Sequence, residues 1–201
     1  MSQNKNTQKL VRGPQAGFSL IEVMIAIVVM TIGLLAVVAS IATALATTQS
    51  AQEDLIARQK ALDALESIYT ARNSQQIPFK SIDNTANGGI FLSGAQPLLC
   101  AGADGLFGTN DDVPCTTTAG ATCPNGGAEC MVMPDRTGVL GTTGPIMSLS
   151  NFTRTITINH VLLPNGTVNQ NMIAVGITVS YTKAGLPARN YTVNGLISQF
   201  H

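Results

Sequence analysis

The chain has 201 residues, with 11 basic and 11 acidic side chains, no Trp, four Cys and only 11% charged residues. That length holds one modest domain plus a long helix. The even charge balance argues against a strongly basic nucleic-acid surface, and neither a P-loop nor a Rossmann fingerprint is present.

Met1 to Gly17 is polar and carries Lys5, Lys9 and Arg12 without an acid. From Val23 to Ala46 there is no charged residue, and the polar side chains are Thr31, Ser40 and Thr43 alone. As a helix this run spans about 36 Å, enough to cross a bilayer. Glu22 stands at its head, where an ionisable group is costly and so implies a partner or a function. Removing the first 17 residues leaves 8 basic against 11 acidic residues, a balance of −3. A basic segment before the span predicts a cytoplasmic amino end and export of everything after it. Cysteines confined to the exported part fit an oxidising compartment.

One helix is expected from Phe18 to about Arg72. It turns amphipathic after Gln49, with Leu55, Leu62, Leu65 and Tyr69 as the face packed on a sheet and Ile68 beside it. Asp54 and Arg58 form an i,i+4 pair on its surface. Pro78 disfavours helix at Ile77 and closes the element. Residues 78–149 read as a loop-rich insert with poor periodicity, short strands near Gly89–Leu92 and Met131–Met133, and too little apolar content to hold itself without staples.

The last fifty residues alternate. Phe152 to Ile158 reads apolar against Thr, broken by Arg154. Ile173, Val175, Ile177, Val179 and Tyr181 alternate strictly, and Tyr191, Val193 and Ile197 continue on a third strand. Turns fall at Leu163–Gly166 and Lys183–Gly185. The fold class is therefore α+β: a long amino-terminal helix packed on a small antiparallel meander. The expected segments are 1–17, 18–46, 47–77, 78–149 and 150–201.

The stretch Gly17-Phe18-Ser19-Leu20-Ile21-Glu22-Val23 resembles the prepilin signal of type IV pilins and of the pseudopilins of type II secretion. An ordinary secretory signal ends its apolar core with a cleavage site, whereas here the Gly precedes a longer core. The resemblance implies cleavage after Gly17 by a prepilin peptidase and methylation of Phe18, which becomes the first residue. It also implies that Glu22 pairs with the terminus of a neighbouring subunit. Many relatives carry a kinking Pro in the apolar half, where this chain has Gly33. The Glu22-Val23-Met24 start, the Gln49–Arg72 helix and the late Val-Ser-Tyr-Thr-Lys-Ala-Gly segment look most like the PilV-type minor pilins. Such a subunit waits in the inner membrane with its carboxy-terminal domain in the periplasm. It then joins other pilin subunits in an extracellular pilus or a periplasmic pseudopilus. A tip subunit with an adhesin-like role for the insert is a further reading.

The cysteines are spaced C-x14-C-x7-C-x6-C, without the C-x2-C of a zinc site. Four allow three pairings; Cys100–Cys115 with Cys123–Cys130 is favoured because each closes a short loop. Between the first two, Asp104, Asn110, Asp111 and Asp112 form an oxygen-rich loop, read either as a calcium site or as a polar turn. It looks like the Asp-Gly…Gly-Thr…Asp-Asp loops of some exported calcium-binding proteins. His160 and His201 have no nucleophile in sequence reach, so no catalytic role is expected.

Overall fold

The computed structural model describes residues 17, 19–117, 120–132, 146–182 and 187–200. Residues 1–16, Phe18, Met133, the turn expected at Lys183–Gly185 and His201 lie outside the described residues. The chain falls into two compact units, Met1–Gln49 and Ser50–His201, and the helix α1 (Leu20–Asn73) contributes to both.

In the first unit α1 is apolar, reaches a mean hydropathy of 2.8 over its best 18-residue window, and buries none of that window within the chain. It runs through Gly33 without interruption. Thr31 and Thr43 turn their hydroxyls onto the carbonyls of Val28 and Ser40, at 2.8 Å each. Their polar groups are thereby satisfied within the helix itself, as an apolar surrounding requires.

In the second unit the buried face of α1 is Ala57, Ala61, Ala64, Ile68 and Ala71, spaced four, three, four and three, with Leu65 and Arg72 alongside. This corrects the expected stripe in part: Leu65 is in the core and Tyr69 packs against it, as expected. Leu55 and Leu62 are 63% and 40% exposed, while Ile68 is fully buried. Gly195 makes room for the side chains of Tyr69 and Leu65. A Cβ there would stand 2.7 Å from the Tyr69 hydroxyl and 3.0 Å from Leu65. The periodicity was legible, but bulk misled the choice of phase: one residue along a helix is about 100° around it. Asp54 likewise turns away from Arg58. It accepts from the Tyr181 hydroxyl at 2.6 Å and pairs with Arg189 at 3.0 Å, tying the helix to the sheet. After Asn73 the chain reverses through Gln75 at φ 60°, and Gln76 donates its N–H to the carbonyl of Ala71, capping the helix.

The sheet has four antiparallel strands, not three. β4 (Phe152–Leu162), β5 (Val168–Tyr181) and β6 (Arg189–Ser198) form the expected meander, and β1 (Ala95–Pro97), from the loop-rich segment, joins its edge in the order β1-β4-β5-β6. β2 (Cys130–Val132) and β3 (Ile146–Ser148) form a separate two-stranded pair. Around Gly89–Leu92 there is only a single bridge between Phe91 and Asn84. Asn84 continues the edge where β1 stops: its side chain donates to the Ile156 carbonyl at 3.0 Å and accepts from the Ile158 N–H at 3.1 Å. One amide thus serves both backbone groups that a further strand would have paired.

The loop-rich segment buries more than its composition implies. Phe91, Leu98, Leu106 and Leu149 are fully buried in the same core as Ile68, Val175, Ile177 and Val179. Widely spaced single apolar residues escape a periodicity search yet plug a core equally well.

Candidate functional site

The helix starts at Ser19, whose carbonyl accepts the N–H groups of Glu22 at 3.0 Å and Val23 at 3.3 Å. Gly17 is exposed, with nothing near the position a Cβ would take. Glu22 sits in the first turn of α1, where the unsatisfied N–H groups favour a negative charge. Ala26 and Met30 follow it at four-residue steps, so they share its face. With Val23 and Ile27 they line a shallow groove. The arrangement presents one carboxylate at the head of an apolar surface. It can bind a cation delivered alongside that surface, and an amine is the simplest.

The loop after Cys100 is built differently. Cys100 pairs with Cys115 and Cys123 with Cys130, each bridge staying within the segment before the meander. Asp104 accepts from the Leu106 N–H at 2.8 Å, and Asp111 from the Asp104 N–H at 3.1 Å and the Thr109 hydroxyl at 2.7 Å. Asp112 accepts from the N–H groups of Gly108 at 2.8 Å and Thr109 at 3.4 Å. Asn110 is exposed at the tip. Gly102 lets the two limbs touch, since a Cβ there would stand 2.1 Å from the Asp111 carbonyl oxygen. The Thr109 hydroxyl and the Asp104 N–H hold the Asp111 carboxyl below its ordinary value. Among the described residues no three His, Cys, Asp or Glu side chains gather as a metal group.

Asp112 has a second partner that the sequence reading missed. Arg154 is not a break in β4; it lies on the inward face between Phe152 and Ile156 and is almost fully buried. Its guanidinium lies 4.7 Å from the centre of the Phe107 ring, and its Nη2 is 3.8 Å from Asp112. Burial pushes the Asp112 carboxyl up, against the hydrogen bonds of Gly108 and Thr109 and the charge of Arg154. Burial also pulls the guanidinium down, against Asp112, Glu129 and Asp63. Both directions say that removing these two charges from water outweighs their mutual attraction. The parity of the strand was the available signal, because Arg154 shares it with Phe152, Ile156 and Ile158. Nearby, Lys60 on α1 bonds Glu129 and lies 3.5 Å from Asp63. The segment is therefore joined to the helix through Lys60 and Glu129 and to the sheet through Asp112 and Arg154, while its two bridges stay within it.

His160 is held by Asp83, with Nε2 3.0 Å from the carboxylate. Burial would raise the Asp83 carboxyl, but bonds from Asn87, the Asn84 N–H and His160 outweigh it and leave the value lowered.

Residues 12–46 match the family model described as the prokaryotic N-terminal methylation motif. The match covers Gly17, Phe18 and Glu22 and ends before the second unit. Over these residues the chain is similar to proteins that carry the motif, which supports a type IV pilin-like or pseudopilin-like subunit. No curated protein and no solved structure matches the chain.

Proposed function

We propose that this chain is a minor subunit of a bacterial type IV pilus, of the PilV-like kind, made as a precursor and cut between Gly17 and Phe18. One observation carries the reading: the matched motif opens a helix with Glu22 in its first turn and an apolar surface the chain leaves uncovered. The mechanism is assembly. The apolar part of α1 is held in the inner membrane until processing exposes the amine of Phe18. Filament growth then exchanges lipid for the helices of neighbouring subunits. Glu22 pairs with a neighbour's terminal amine, which relieves a carboxylate that hydrocarbon cannot solvate and fixes the axial register.

The test separates residence from assembly. Mass spectrometry of the mature protein should find N-methyl-Phe18 at its terminus. Glu22→Ala makes membrane insertion easier, since an acid at the centre of a span costs about 2.5–3.5 kcal/mol and less near its end. The variant should therefore be exported, cleaved and folded, yet depleted in sheared filaments. Entry at the normal ratio would remove the pairing role. The same motif supports a pseudopilin of type II secretion, and recovery from surface filaments distinguishes the two.

Calcium in the Asp104–Asp112 loop is a separate proposal, supported by its oxygen-rich composition. A melting temperature unmoved by millimolar calcium removes it.

A further inference from the structure

The two outer edges of the four-stranded sheet are finished differently. β1 pairs with β4 from Thr153 to Thr155, and the Asn84 side chain takes the next two outward backbone groups, at Ile156 and Ile158. At the other edge β6 has β5 as its one partner among the described residues. Gln199 donates its N–H to the Asn171 carbonyl, in register with the β5–β6 pairing. The odd-numbered residues of β6 therefore bond to β5, and the even-numbered ones turn their backbone groups outward. The Tyr69 hydroxyl takes one of these, the Leu196 carbonyl, at 2.9 Å. Both backbone groups of Asn190, Thr192 and Asn194 have no hydrogen-bond partner among the described residues, and all three residues are exposed. Such edges are ordinarily blunted by Pro, Lys or a bulge. β6 has no Pro and no Lys, and its register against β5 is unbroken.

The helix adds a shelf beside this edge. Asp54 meets Arg189 and Tyr69 meets Leu196, so α1 runs alongside β6 in the same direction. Tyr69 reaches over the edge. A seven-residue step turns only about 20° around a helix, so Leu62 and Leu55 lie on the same flank. These are the two exposed leucines that the core does not use. Arg58 shares the flank between them; it is exposed and has no hydrogen bond or ion pair among the described residues.

We propose that β6 receives an extended segment of a different protein as a fifth strand, with apolar side chains and one carboxylate on the side facing α1. The open backbone specifies a strand, because an extended chain presents N–H and C=O groups in the matching alternation. Leu55 and Leu62 suit the apolar side chains, and Arg58 suits the carboxylate. A second copy of this chain fits less well. Pairing β6 with β6 about a two-fold axis would run the two α1 helices in opposite directions, whereas chains anchored in one membrane enter α1 from the same side. The other edge of a copy offers only the three residues of β1, one of them Pro97. The two-fold argument rests on the proposed anchoring. The open edge does not, so its failure would leave the proposed function untouched.

The test uses the full chain in dodecylphosphocholine micelles, labelled with ¹⁵N, with amide hydrogen exchange read residue by residue. The probe is the capped peptide Thr-Leu-Thr-Glu-Thr-Val-Thr, titrated past a Kd of about 1 mM. The same peptide with every amide N-methylated cannot form a ladder and is the control. Binding should saturate and slow exchange at the N–H groups of Thr192 and Asn194. The Ile158 N–H, already held by Asn84, should not change. Thr192→Pro removes an outward N–H and spares the β5 ladder, and should weaken binding at least about fivefold. Arg58→Glu should weaken it about three- to fivefold, and Lys in place of the peptide's Glu should restore it. The proposal is overturned if no saturable protection appears, if the methylated peptide protects the same amides, or if both variants bind as tightly as the parent. Protection that grows with the concentration of the chain alone overturns it in favour of a second copy.

Discussion

Between Leu20 and Leu45, α1 leaves every large apolar side chain exposed, from Val23 at 47% to Leu20 at 81%. Between Ser50 and Asn73 the same helix buries a face made mostly of alanine. Apolar bulk therefore marks the part of the helix whose surface the chain does not cover. Small side chains make up most of the face the chain packs for itself, beside Leu65 and Ile68. A hydropathy plot sees the first half and overlooks the second.

The sharpest way to break this contrast is to make one substitution in both halves. Ile68→Ala should cost about 2–5 kcal/mol, as for a large residue removed from a packed core. Ile32→Ala should leave the melting of the second unit unchanged. Denaturant unfolding in detergent reads both, and equal losses would collapse the distinction. Filling should behave in the same way with a smaller amplitude. Ala61→Leu forces a larger side chain against the sheet and should cost about 1–3 kcal/mol, while Ala36→Leu should not register in the same assay.

Charge sharpens the contrast next. Its hydrogen bonds hold the Asp83 carboxyl below its ordinary value, so its ionised form stabilises the fold at neutral pH, and the gain fades as pH falls through the lowered value. Asp83→Asn should lose about 1 kcal/mol at neutral pH. Its stability should converge on the parent's as the medium is acidified below the ordinary carboxylate range. A gap constant across that range would assign the effect to shape and not to charge. Leu62→Ala should do least, within about 0.5 kcal/mol, as for ordinary surface positions. A large loss there would restore the leucine stripe as the packed face.

The long helix, the meander and the local disulfide pairing were legible because each rests on near neighbours in sequence: an uninterrupted apolar run, strict alternation, a short ring. Three features were not. Arg154 was set aside for its charge, although its parity on β4 placed it inside. Phe91, Leu98 and Leu106 were hidden by their spacing among glycines and threonines. β1 is three residues long, and one of them is Pro97; only its partner strand identifies it. In each case the deciding contact lies far along the chain, where local pattern carries no information. Around the helix start, Glu22 was legible as a lone carboxylate before an uncharged run, and its place in the first turn follows from helix geometry.

The two disulfides close rings with sequence separations of 15 and 7. The consequence concerns the order of events. Loops of this size meet on a timescale of about 10–100 ns, whereas the pairing of β1 with β4 must wait for a strand nearly sixty residues further on. Covalent oxidation takes seconds to hours, so the thiols meet many times before a bond forms. A wrong pairing is equally local, since Cys115 and Cys123 are also near neighbours in the chain. What rewards the correct pairs is the docking of Leu98, Leu106 and Leu149 into the shared core. The segment is thus quick to bring its thiols together and depends on the rest of the molecule to tell it which bonds to keep.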